Sequence, residues 1–285
     1  MQGPPARRLA FRYFAPSPDL AGLVAFHYII EAGPAAIAEP VCALLGQVQF
    51  GIAGTGGYAL GGGLRVVPDI AVVAPTDRAA VFRASRGYVA AGSGLTPAGW
   101  AAAIDASASM PGGLCDGRSV LDAAAAAHAR VGCAPTHDAR IAVLDRFMAD
   151  RLATPRAIDP RIAAIDRWIV GGAPGNAAAL AAELGLSRRS LERLTATTHG
   201  ATPKLLAAKY RTLMAAARIA VGLADWRDPA VLGAFADQSH FIREFKRFVG
   251  ITPRRFKRDG DSLVAQLVRG RWEPGHEPGI AIWNG

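Results

Sequence analysis

The residues best suited to covalent chemistry are three cysteines, Cys42, Cys115 and Cys133. Gly113-Leu-Cys-Asp-Gly117 has the outline of a nucleophile elbow, in which a strand delivers the nucleophile into a sharp turn ahead of a helix. Ser107–Pro111 does not read as that strand, so a surface turn is expected instead. Cys133 lies between His128 and His137, which invites a thiol–base pair, but plain core or loop residues are the simpler expectation. His240 has no His or Cys at ligand spacing, so no metal site is expected. Gly54-Thr-Gly-Gly lacks the Gly-Lys-Ser/Thr of a phosphate-binding loop and reads as a loop tip. No catalytic residue and no cofactor are expected. Three cysteines cannot all pair and none forms a CxxC, which suits a reducing compartment rather than a disulfide scaffold.

The denser chemistry is cationic and non-covalent. Arg188, Arg189, Ser190 and Arg193 cluster at one place, and Gln238, Ser239, His240, Arg243, Lys246 and Arg247 at another. Arginine and lysine pair with guanine edges and glutamine with adenine, whereas a point charge set on a phosphate positions without specifying. The charge distribution agrees. The chain carries a net +9. Residues 1–160 hold 13 Lys+Arg against 12 Asp+Glu, residues 161–285 hold 19 against 11, and Ser187–Arg258 alone holds 15 against 5. The cations therefore mark the second half as the place for a polyanion.

The elements that must carry these groups differ between the halves. Residues 11–95 read as short strands broken by turns: Val24–Ile30, Val41–Ile52, Leu64–Ala74, Ala80–Ala84 and Tyr88–Ala91, with Gly54–Gly63 as a glycine-dense turn. This spacing predicts a sandwich or small barrel. Helical spacing takes over at Pro97–Asp105, Ser119–Val131 and His137–Leu152. Thr154–Pro160, with two prolines, reads as a linker. The fold class expected is an α+β domain over residues 1–153, followed by an all-α domain over 161–258 and a tail over 259–285. The second half is helix after helix: Pro160–Val170, Asn176–Gly185, Ser187 to about Gly200, Pro203 to about Gly222, Pro229–Phe235, Asp237–Val249 and a turn from Thr252-Pro253. One more helix is expected at Ser262–Val268. No run of apolar residues is long enough for a transmembrane helix, no secretory leader is visible, and a cytoplasmic location is expected.

Two segments share one logic: a small Ala-rich helix, a tight turn, and a second helix that is apolar on one side and rich in donors on the other. They are Ala177–Gly185 with Ser187–Thr198, and Pro229–Phe235 with Asp237–Phe248. This is the layout of a helix-turn-helix, whose second helix lies in the major groove of DNA. The two second helices start about 50 residues apart, and the helix between them spans roughly 30 Å, close to the repeat of successive major grooves.

On Leu180-Ala-Ala-Glu-Leu-Gly-Leu-Ser-Arg-Arg-Ser-Leu-Glu-Arg-Leu194, and more specifically on Phe235-Ala-Asp-Gln-Ser-His-Phe-Ile-Arg-Glu-Phe-Lys-Arg-Phe248 with Gly250-Ile-Thr-Pro-Arg-Arg-Phe256, the chain resembles the AraC/XylS transcriptional regulators. The resemblance covers about residues 160–258. It implies a seven-helix domain with two helix-turn-helix motifs in adjacent major grooves. It offers Arg189, Glu192 and Arg193 of the first motif, and Gln238, Ser239, Ile242 and Arg243 of the second, to base edges. Arg188, Ser190, His240, Lys246 and Arg254 fall where such proteins approach the DNA backbone, and Arg247 reads as a phosphate contact too. The sequence departs from the family pattern in three places, one of them the start at Pro229 of the helix before the second motif. Ala234 stands where a glycine is usual, which predicts a strained or shifted turn, and Thr195-Ala-Thr-Thr198 replaces an aromatic and basic run. The first half resembles, more weakly, the sensor domains found ahead of this module.

The expected function is a sequence-specific DNA-binding transcription regulator acting on double-stranded promoter DNA. Its first half senses a small-molecule effector or dimerises, and Phe26, Tyr28, Phe50, Phe82 and Tyr88 are candidates to line an effector pocket. RNA polymerase and a second copy of the chain stay open as partners, and a membrane does not. The alternatives are a DNA-directed enzyme using Cys115 or Cys133 as nucleophile and a nonspecific architectural binder.

Overall fold

The computed structural model describes residues 9–59, 63–105, 110–153, 158–172 and 176–270. The first half contains ten strands: β1 (Leu9–Phe14), β2 (Val24–Ala32), β3 (Ile37–Val41), β4 (Gly46–Ala53), β5 (Gly56–Ala59), β6 (Leu64–Val66), β7 (Ile70–Val73), β8 (Ala80–Ala84), β9 (Val89–Leu95) and β10 (Leu114–Asp116). They form two antiparallel sheets, ordered β1-β2-β9-β4-β7-β10 and β3-β8-β5-β6. The sandwich alternative is the one met, because the sheets stay open and do not close into a barrel.

The six-stranded sheet is buried on both faces, so its strands read as continuous apolar runs rather than alternating ones. In β7, Ile70 and Val72 face one core and Ala71 and Val73 the other. The first of these cores is covered by two helices, α2 (Ala124–Cys133) and α3 (His137–Leu152), through Val131, Leu144, Phe147 and Met148. The four-stranded sheet is covered on one side only, and β8 alternates cleanly, with Phe82 buried and Val81 and Arg83 exposed.

The local chemistry accounts for most boundaries. Thr96 accepts from the Gly99 amide and Pro97 opens α1 (Pro97–Ala103); proline suits a first helical turn because its missing N–H has no partner there in any case. The run Leu64–Ala74 splits into β6 and β7 around Pro68, which cannot donate to a ladder. The helix expected from Ser119 begins only at Ala124, because a 3-10 turn over Gly117–Ser119 and a left-handed Ala123 (φ 58°) precede it. The glycine-dense segment Gly54–Gly63 is not all turn: Gly56–Ala59 pairs with both β6 and β8. The surface turn expected at Gly113–Gly117 is also an edge strand, with Leu114–Asp116 pairing to β7. Most of the linker expected at Thr154–Pro160, the segment Ser107–Ser109 and the end of the tail lie outside the described residues.

The second half holds α4 (Arg161–Val170), α5 (Ala177–Glu183), α6 (Arg188–His199), α7 (Pro203–Ala220), α8 (Pro229–Leu232), α9 (Gln238–Val249), α10 (Pro253–Arg258) and α11 (Leu263–Arg269). The core between the two sheets continues into this half without a break, from Tyr28, Tyr58 and Phe82 to Leu206, Phe245 and Leu267. Polar ties cross the same seam. The Ala43 amide donates to the Phe248 carbonyl (2.7 Å) and the Ala79 amide to the Arg247 carbonyl (2.8 Å). The Lys209 side chain, 1% exposed, donates from Nζ to the carbonyls of Thr76 (2.8 Å) and Leu44 (3.3 Å). Among the described residues, no helix is long and apolar enough to cross a membrane.

Candidate nucleic-acid interface

The first helix pair is built on its caps. Asn176 Oδ1 accepts from the amides of Ala178 (2.9 Å) and Ala179 (3.0 Å) and starts α5. Gly185 turns the chain at φ +64°, a conformation that costs a side-chain-bearing residue about 1 kcal/mol or more. Ser187 Oγ then accepts from the Ser190 amide (3.1 Å) and starts α6. Leu180, Ala181 and Leu191 are buried between the two helices. The opposite side of α6 leaves Arg189 and Arg193 exposed, one turn apart on a single row.

The threonine run ending α6 has a structural reason. Thr195 and Thr198 are buried, and the Trp100 indole of α1 donates to the Thr197 carbonyl (3.1 Å). His199, also buried, bonds Asp166 of α4 through Nε2 (2.8 Å) and Thr198 Oγ through Nδ1 (2.6 Å). The end of this helix is thus a docking surface for α1 and α4.

The second pair repeats the plan with an aromatic core. Asp237 Oδ1 accepts from the His240 amide (2.7 Å), and His240 Nδ1 accepts in turn from the Ala236 amide (3.2 Å), so the start of α9 is capped from both sides. Phe235, Phe241, Phe245 and Phe256 stack edge to face, with centroids 4.9, 5.4 and 5.4 Å apart. The strain expected at Ala234 is absent: Ala123 is the only non-glycine at positive φ among the described residues. The helix expected over Pro229–Phe235 ends at Leu232. Gln238, Ser239, Arg243 and Lys246 are exposed on the outer side of α9, with Ile242 half-buried beside them.

The other expected contacts divide by their partners. Arg188 is exposed and holds the half-buried Glu192 at 3.0 Å across one helical turn. Ser190 is half-buried at the α6 cap. Half-buried His240 serves the α9 cap and stands 3.9 Å from Glu244, which also pairs with Arg211 of α7 at 3.8 Å. Arg247 reaches across to the first half, 3.7 Å from Asp77. The Asp77 carboxyl is held below the usual carboxylate range by Arg78 first and Arg247 second. Arg189, Arg193, Arg243, Lys246 and Arg254 are exposed and form no ion pair with a described residue.

Between the two pairs lies a groove of about 880 Å³ with α7 as its floor. Arg188 at the start of α6 borders one side, and His240, Glu244 and Arg247 of α9 border the other. Both second helices therefore flank one cleft on one side of α7.

The covalent candidates do not assemble. Cys115 is half-buried in β10 and burial pushes its thiol up, away from the reactive thiolate. The rings flanking Cys133 are engaged elsewhere, His128 with the Gly51 carbonyl (2.6 Å) and His137 with Glu31 (3.2 Å). Among the described residues no three His, Cys, Asp or Glu converge on a point that could hold a metal. One constellation has no local signature in the sequence: His27 bonds Ser93 Oγ through Nδ1 (2.8 Å) and Asp145 through Nε2 (3.0 Å). Ser93 is 1% exposed and His27 0%, so a substrate has no path to the hydroxyl, and the trio instead ties α3 to β2 and β9.

Residues 180–259 match a protein-family model described as a helix-turn-helix domain. A search of curated proteins finds no match. Among solved structures, ToxT from Vibrio cholerae is similar at 10% identity and a TM-score of 0.48, over 88% of this chain and 98% of that one. A structure of ToxT bound to (E)-4-(8-methylnaphthalen-1-yl)but-3-enoic acid gives 10% identity and 0.47, over 88% and 98%. The AraC-like transcriptional activator CuxR gives 10% and 0.30, over 66% and 80%. The matched segment runs from inside α5 to just past the end of α10, takes in α6 and the whole of the second pair, and is a helix-turn-helix domain.

Proposed function

We propose that the chain is a sequence-specific DNA-binding transcription regulator. In this reading residues 161–258 place α6 and α9 in adjacent major grooves of one duplex, and residues 1–153 sense an effector or dimerise. The observation that carries it is the presentation of two exposed donor rows, Arg189 with Arg193 and Ser239 with Arg243 and Lys246, on rigidly capped helices that flank a single cleft. The 18 residues of α7 rise about 27 Å between the motifs, within reach of the repeat of about 34 Å between major grooves.

Binding then rests on counterion release and on base-edge hydrogen bonds, with no covalent step. Arg189, Glu192, Arg193, Gln238, Ser239, Ile242 and Arg243 read bases. Arg188, Ser190, His240, Lys246, Arg247 and Arg254 approach the backbone. In Arg188 and Arg247 that role competes with Glu192 and Asp77.

The effector reading rests on a small cavity between the two sheets. It is lined by Tyr28, Tyr58, Phe82, Gln47 and Gln49 and is closed by Leu263 and Leu267 of α11. Of the aromatic residues expected there, Tyr28 and Phe82 line it. Phe50 faces the other core, against Phe147.

Selection of preferred sites from random duplexes tests the reading. Arg189→Ala and Arg243→Ala should each relax preference at their own positions by about 1–3 kcal/mol, and Lys246→Ala should weaken all sequences alike. A purified chain that binds selected and scrambled duplexes equally refutes it.

A further inference from the structure

The cations in the cleft between the motifs are not used by base reading. Four of the residues that line it are permanently charged, Arg188, Lys204, Arg211 and Arg247, against the single carboxylate of Glu244. Three of the four already have acidic partners: Glu192, Glu244 and Asp77 in turn. Lys204 is exposed in the first turn of α7 and forms no ion pair with a described residue. The cleft therefore keeps an uncompensated positive charge on its α7 floor, between the two second helices. A duplex read in two successive major grooves turns its minor groove, with the phosphate ridges on either side, toward whatever lies between the readers.

We infer that this cleft seats the phosphodiester backbone of the intervening minor groove, with Lys204 as its principal phosphate contact and Arg211 behind it. The inference rests on the DNA-binding reading above and adds to it a third point of contact on the connecting helix. Lys204 works as a point charge on a phosphate, so it adds affinity without sequence preference. Arg211 also lies over the Phe235 ring at 5.0 Å, which makes it a poor first target because its loss disturbs the second motif.

The test uses the full chain, a selected duplex and a scrambled one, with dissociation constants measured across a potassium chloride series. Lys204→Glu should lower the slope of log affinity against log salt by about 1 and weaken both duplexes about eight-fold at 0.1 M salt. Lys204→Arg should bind as the unaltered chain does. A selected duplex with uncharged methylphosphonates at the central minor groove should abolish the difference between Lys204→Glu and the unaltered chain. If Lys204→Glu keeps slope and affinity while Arg243→Ala still relaxes specificity, the cleft lies off the duplex and the inference is overturned with the reading intact. An effect of Lys204→Glu confined to the selected duplex overturns it as well. Absence of any site preference in the unaltered chain overturns the reading itself, and this inference with it.

Discussion

Lys209 is the sharpest test of how the two halves are held together. Its ammonium is buried at the seam, where it donates to the backbone carbonyls of Thr76 and Leu44, while its stem lies among the apolar residues of α7. Lys209→Met keeps the stem and removes the donor. The Leu44 carbonyl keeps a second donor, the Thr76 amide at 3.1 Å, so only the Thr76 carbonyl loses its partner, at a cost of about 1–3 kcal/mol. Relief of the ammonium's own desolvation returns part of that, since burying a charge is expensive even when it is bonded. A net loss of about 1–2 kcal/mol follows, or about 2–6 °C in the thermal midpoint for a chain of this size. Lys209→Ala should lose more, because it also empties the volume of the stem. Urea unfolding followed by tryptophan fluorescence reads both variants. A Lys209→Met midpoint equivalent to less than 0.5 kcal/mol of change, with Lys209→Ala no worse, would refute the claim that this side chain clamps the seam.

The His27–Asp145 tie makes stability depend on pH. Burial lowers the His27 pKa below its ordinary 6.5, against the opposing pull of Asp145. The unfolded chain therefore binds this proton first, and stability should fall as pH drops through 6.5 and level off below the folded-state value. His27→Gln should flatten that segment of the curve when denaturation midpoints are compared at pH 5.5 and 7.5, and an unchanged slope would exclude His27 as its source. Two left-handed glycines give a matched pair. A Cβ on Gly185 (φ +64°) meets open space, whereas one on Gly200 (φ +78°) comes within 2.3 Å of the Pro75 carbonyl oxygen. Gly185→Ala should cost about 1 kcal/mol and Gly200→Ala about 3 kcal/mol, because only the second adds a clash with backbone to the strain. Equal losses in chemical denaturation would show that the α6–Pro75 contact is soft.

The helical half was legible because its information is local. Ser187 and Asp237 announce their helices, the 3.6-residue period of α7 and α9 is carried by large apolar side chains, and Gly185, Gly200 and Gly250 stand where the chain turns left-handed. The first half was legible in kind but not in detail. Val24–Ile30 and Ala80–Ala84 carry enough β-branched and aromatic residues to be recognised. Gly56–Ala59 does not, because its strand character comes from pairing with Leu64–Val66 and Ala80–Ala84 rather than from its own side chains. Long-range polar contacts were invisible for the same reason. His27, Ser93 and Asp145 are brought together only by the sheet and α3, and nothing in their spacing announces it. Lys209 falls in a stripe that reads as plain core until its carbonyl partners, more than 130 residues away, are known.

The shared core has a consequence for the proposed regulation. Val41 and Leu44 line the inter-sheet cavity, and the next link from them is backbone: Leu44 accepts from Lys209 of α7, and its neighbour Ala43 donates to Phe248 near the end of α9. Leu263 and Leu267 close the same cavity from α11, a few residues after α10. A ligand that swells this space presses, among its other walls, on Val41 and Leu44 and on α11, and both of these walls are tied to elements of the second half. Close-packed interiors respond to such a displacement by moving rigid neighbours rather than by absorbing it. An effector with different affinity for the two arrangements would therefore bias the placement of α9 against α6, which is the spacing that matching two successive grooves requires.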